Sequence, residues 1–164
     1  MSPELAKACA YALIPSLITM LLVQACGGSS DAVAQATAAG EPIEGAWSST
    51  VTQRDCTTSA IASTFRSSQV FHRGGTFADT SSHAPSTRGA AFGTWTRSGD
   101  TYTTRFRFFR YNADGTLAGT SVSTMVATLS ADGNAFSATR NTQVIDAAGN
   151  QVATVCTSDV ATRG

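Results

Sequence analysis

Charge and reactive side chains are both scarce in this sequence: 13% of its 164 residues are charged, and it contains two His and four Cys. It has no Gly-x-Ser-x-Gly elbow, Walker loop, zincin helix or Cys-x-x-Cys pair. The usual sequence carriers of acyl transfer, phosphate binding and metal ligation are therefore missing, and neither a cofactor nor a metal is expected. The formal net charge is zero, so no bulk positive field attracts nucleic acid. Beyond Lys7 every basic residue is Arg. The length suits one ordinary domain and is too short for two comfortable ones.

An export pattern comes first along the chain. Lys7 precedes an apolar run from Ala8 to Val23, which Gln24-Ala25-Cys26-Gly27-Gly28 ends, and a basic segment followed by an apolar one marks a secretory signal. A membrane-spanning helix needs about 20 apolar residues, whereas this run is shorter and contains Pro15. The stretch Leu22-Val23-Gln24-Ala25-Cys26 resembles the lipobox of bacterial lipoproteins, with Val23 and Ala25 in pattern and Gln24 less usual. The resemblance implies that residues 1–25 are a signal peptide and that Cys26 is lipidated as the first mature residue. It also implies anchoring in the cell envelope. Gly27, where inner-membrane lipoproteins often carry Asp, points to the periplasmic face of the outer membrane. Each buried CH₂ contributes about 0.8 kcal/mol, so two or more acyl chains hold a domain stably. Residues 26–43 are small and polar and read as a flexible tether, with a marginal helix at Asp31 to Ala39 as the alternative.

With Cys9 in the leader and Cys26 lipidated, Cys56 and Cys156 remain as a pair in an oxidising compartment. A disulfide is the natural reading. Metal or redox roles have little support, because only His72 and His83 are available as partners.

From Gly45 onward, short alternating runs of Thr, Ser, Ala, Val and Phe alternate with Gly-containing turns, an all-β pattern. Strands are expected at 45–54, 65–73, 76–82, 90–98, 101–111, 116–130, 135–145 and 150–160. Turns at Gly74-Gly75, Ser98-Gly99-Asp100, Asn112 to Gly115, Ala131 to Asn134 and Ala147 to Asn150 suit hairpins. Alternation puts Tyr102, Thr104, Phe106 and Phe108 on one face and Thr103, Arg105 and Arg107 on the other. The register blurs at Phe109-Arg110-Tyr111, as at a bulge. Inward positions are expected at Trp47 with Val51, Phe65 with Phe71, Val122 with Val126, and Phe136 with Ala138. Met125, Ala127 and Leu129 have the opposite parity to Val122 and Val126, which leaves that strand unassigned. Sequential strands joined at their ends imply an all-β, up-and-down antiparallel barrel of about eight strands over residues 44–164.

Gly45-Ala46-Trp47, repeated as Gly93-Thr94-Trp95, resembles the Gly-x-Trp signature of the lipocalin-like, or calycin, group. No clear counterpart of the other lipocalin motifs is present, and the segment from Ser82 to Gly89 does not align. The resemblance implies a barrel that holds a small apolar ligand. Trp47, Phe71, Phe77, Trp95, Tyr102, Phe106 and Phe108 either line such a cavity or fill it as a core.

Arg105, Arg107 and Arg110, with Arg97, make either a cationic stripe or a solvated strand face. His72 and His83 are isolated. Three functions follow. The first is a membrane-anchored binding module for a small apolar molecule; the second is an envelope interaction or inhibitor protein with a filled barrel and an exposed apolar patch. The third is a cofactor-free barrel cyclase using Glu44, Asp79 or Tyr102. The expectation is a binding protein rather than an enzyme.

Overall fold

The computed structural model describes residues 40–164. The expected signal peptide, Cys26 and most of the tether lie outside the described residues. Eight strands follow in order: β1 (Gly45–Arg54), β2 (Ile61–Phe71), β3 (Thr76–Ser81), β4 (Ala91–Ser98), β5 (Thr101–Tyr111), β6 (Leu117–Leu129), β7 (Ala135–Asp146) and β8 (Gln151–Arg163). Each pairs antiparallel with the next, and β8 returns to β1, closing an up-and-down barrel. Closure leaves no unpaired sheet edge.

The turns form where short polar side chains satisfy the backbone locally. Asp114 Oδ1 accepts from the Thr116 amide at 2.9 Å, Asp132 Oδ1 from the Asn134 amide at 3.1 Å, and Asp146 Oδ1 from the Ala148 amide at 2.9 Å. The Thr116 hydroxyl, the Ser130 hydroxyl and the Asn150 amide hold these three carboxyls, in that order, below the ordinary carboxylate range. The disulfide joins Cys56, in the loop after β1, to Cys156 in β8.

Facing follows the expected alternation in β1, β2, β5 and β7. Strand β6 departs from it: Val122 and Val126 face outward, while Met125 and Ala127 are fully buried. The reason is cross-strand pairing, because directly opposed residues share a face. Tyr102, Thr104, Phe106 and Phe108 are opposite Ala127, Met125, Ser123 and Ser121, so β5 dictates which parity of β6 turns inward. The blurred register at the end of β5 is a bulge between Arg110 and Tyr111. Gly119 sits opposite it at φ 137°, where a Cβ would come within 2.0 Å of the Ile145 carbonyl oxygen; only Gly fits there. Gly93 is similarly required, since a Cβ would lie 1.9 Å from the Arg105 carbonyl oxygen.

One end of the barrel is packed solid. Trp47, Phe71, Phe77, Trp95, Tyr102, Phe106 and Phe136 are buried there with Ile43 and Met125. Their rings meet edge-on or tilted, with Phe71 and Phe77 centroids 5.0 Å apart and Phe77 and Phe106 5.1 Å apart, the favoured geometry for aromatic pairs. The indole donors are satisfied: Trp47 Nε1 donates to the Ile43 carbonyl at 2.8 Å and Trp95 Nε1 to the His72 carbonyl at 3.0 Å. Arg163 covers this end, its guanidinium 4.5 Å from the Trp47 ring and donating to the carbonyls of Glu44, Gly133 and Pro42. Ile43, the last residue of the expected tether, is fully buried, so packing begins one residue before the expected boundary.

Candidate functional site

At the opposite end the barrel holds an open cavity of about 230 Å³. Strand termini build it. Phe108 and Arg110 come from β5, Ser121 and Ser123 from β6, Arg140, Thr142 and Val144 from β7, and Val155 and Thr157 from β8. Gln53 and Phe65 complete the wall, and the β3–β4 connection contributes His83, Thr87 and Arg88. Phe65 and His83 meet edge-on with centroids 4.4 Å apart. The Arg88 guanidinium lies 4.1 Å from the Phe108 ring centroid, within cation–π range.

Two buried ion pairs support the wall. Arg140 bonds Asp159, which also accepts from Gln69 Nε2 at 3.1 Å. Arg88 bonds Asp79, which accepts from the Ser67 hydroxyl as well. Both carboxylate side chains are wholly inaccessible to solvent, so each guanidinium charge is compensated where water cannot screen it. Burial pushes the Asp159 carboxyl up, against the downward pull of Arg140 and Gln69. Burial and the neighbouring Arg88 push the His83 imidazole down, so it is neutral near pH 7. On the β6–β7 wall the hydroxyls of Ser123 and Thr142 bond each other at 2.7 Å.

Arg110 differs from the other two arginines. Its Nη2 donates to the Ile145 carbonyl at 3.0 Å, its Nε is buried without a partner, and it forms no ion pair among the described residues. Asp146 follows Ile145, but its carboxylate accepts from the Ala148 and Asn150 amides at 2.9 and 2.8 Å.

No family model, curated protein or solved structure matches the chain. Function must therefore be read from side chains, since a barrel alone hosts many activities.

The seven aromatics expected around a cavity separate by height. Trp47, Phe71, Phe77, Trp95, Tyr102 and Phe106 fill the closed end, and Phe108 alone lines the cavity. Filled core and pocket thus coexist, because the rings cluster near one end of the strands and smaller polar residues occupy the other. The cationic stripe does not form: Arg105 and Arg107 are exposed on the outer wall, Arg110 turns inward, and Arg97 pairs with Glu41 at 2.8 Å. Arg110 shares parity with Phe106 and Phe108, so alternation carried to the strand end brings it inside.

The three acid–base nominees are not brought together. Asp79 is paired beneath Arg88, Tyr102 belongs to the aromatic end, and Glu44 lies 3.5 Å from Arg73. His72 is exposed and does not line the cavity with His83. Gln69, Arg140 and Asp159 are buried at or beneath the cavity although none was an expected site residue. The available signal was parity, since Arg140 alternates with Phe136 and Ala138, Gln69 with Phe71, and Asp159 with Ala161.

Proposed function

We propose that the barrel binds a small, partly apolar molecule through its open end and that lipid on Cys26 holds it in the cell envelope, at the periplasmic face of the outer membrane. The observation that carries the binding reading is the asymmetry of the interior: a solid aromatic core below and an unfilled cavity above, lined by Phe65, Phe108, Val144 and Val155 among polar groups. At about 230 Å³, the space is smaller than the roughly 300–1,000 Å³ of drug-sized sites. A compact ligand suits it better than a long acyl chain.

Titration with 4-methylbenzamide, a compact neutral probe, tests the cavity. Side-chain resonances of Phe108, Val144 and Val155 should shift, and Val155→Trp should abolish the shifts by occupying the mouth. Unmoved resonances at millimolar probe count against a binding module. The anchor is tested separately: mass spectrometry of the amino-terminal peptide should find diacylglyceryl-modified Cys26 as the first residue, with Cys26→Ser left unlipidated and uncleaved, and an unmodified Cys26 in the parent would remove the lipid from the proposal.

One observation favours a second reading as an interaction protein. Phe92, Arg107 and Val122 form a cross-strand row, with Phe92 66% and Val122 36% exposed. An apolar pair flanking an arginine suits a protein contact, and this wall becomes the better candidate if the cavity binds nothing.

A further inference from the structure

Around the cavity three guanidiniums face two buried carboxylates: Arg88 is matched by Asp79 and Arg140 by Asp159, while Arg110 has no counter-ion among the described residues. A buried or half-buried cation without an anion is costly unless something supplies the missing charge. The Ile145 carbonyl provides one acceptor, which leaves Nε without a partner. Arg88 is joined to Arg110 by an isolated backbone bridge, but its guanidinium is neutralised by Asp79, so the unmatched positive charge at the mouth is that of Arg110.

We infer that the ligand is a small organic monoanion, its carboxylate on Arg110 and its apolar body between Phe65, Phe108, Val144 and Val155. This deepens, and rests on, the binding reading above. A planar carboxylate matches the fork of a guanidinium, which presents parallel donors. One uncompensated guanidinium fits one negative charge, whereas a dianion would bury a second charge without a partner. The apolar wall excludes a purely inorganic anion as the best ligand, because those side chains would then contribute nothing. Capacity again restricts the body to about the size of a single ring or a short branched chain.

The test compares two probes of the same shape, 4-methylbenzoate and 4-methylbenzamide, by NMR titration of the mature protein in detergent. The carboxylate should bind at least about tenfold more tightly, as a charge-assisted hydrogen bond replaces a neutral one. Arg110→Gln should bring the two affinities to parity while leaving that of the amide unchanged, and Arg110→Lys should keep a preference for the anion. Thermal melting of each variant separates lost binding from lost folding. Equal binding of both probes by the parent overturns the charge assignment and leaves the cavity reading intact. A full preference retained in Arg110→Gln also overturns it. If neither probe binds, the cavity reading itself fails.

Discussion

Arg140→Met should lower stability by about 3–5 kcal/mol near neutral pH, because it leaves the Asp159 carboxylate buried without its cation. Arg140 and Asp159 side chains are 4% and 0% exposed, and after the substitution only Gln69 Nε2, at 3.1 Å, and the more distant Thr157 hydroxyl, at 3.5 Å, remain to serve the carboxylate. The loss should depend on pH, and its sign follows from linkage. Burial already pushes the Asp159 carboxyl up and Arg140 pulls it down, so removing Arg140 raises it further. A carboxyl whose folded value exceeds its unfolded value favours the fold at low pH, and that contribution is lost as pH rises through the folded value. The variant should therefore approach the parent in acid and fall away from it towards neutrality, as followed by urea denaturation across the pH range. Adding Asp159→Leu should recover most of the loss, since buried pairs are often replaceable by apolar residues of similar size. A pH-independent deficit in Arg140→Met, unrelieved by Asp159→Leu, would show that the pair is not a desolvated unit.

Loss of the disulfide should have a comparable effect with a different cause. Cys56 and Cys156 are 100 residues apart in sequence, and chain-entropy arguments give up to about 4.7 kcal/mol for such a loop. The bond joins the β1–β2 loop to β8 beside the β1–β8 seam, where Arg54 is directly opposite Cys156. That seam is formed by the first and last strands, so closing it in the reduced chain carries the largest loop entropy of any pairing in the barrel. Cys56→Ser and Cys156→Ser should each lose about 2–5 kcal/mol. The denaturant dependence should steepen as the unfolded chain expands, while the native β spectrum is retained. Parent and variants melting together under non-reducing conditions would mean that the bond does not form or does not matter. Neither cysteine lines the cavity, so probe binding to the folded variants should be unaltered.

Most of the fold was legible along the chain. Thr-, Val- and Phe-rich alternation between Asp- and Gly-containing turns specified eight sequential strands, and the clearest of them, β5, was read with both faces assigned. The Cys pair left after the export pattern is the pair that joins. Illegible features were those in which local pattern was ambiguous or lacked three-dimensional position. Strand β6 carries apolar residues at both parities, Val122 and Val126 at one and Met125 and Ala127 at the other, so alternation alone had no preferred answer; pairing with β5 supplied it. Buried polar positions were passed over because Ser, Gln, Asp and Arg resemble solvent-facing residues until the register turns them inward.

Amino-acid order by itself determined the strands, their antiparallel succession and the chemistry of the turns, because period-two alternation and positive-φ residues act over only a few positions. Tertiary structure alone decided the height at which each inward side chain sits. Closure of the sheet gathered the aromatics of six strands at one end, and at the other the arginines of β5, β7 and the β3–β4 connection. That separation depends on cross-strand register over the whole circumference, and it makes one end a core and the other a cavity with an uncompensated cation.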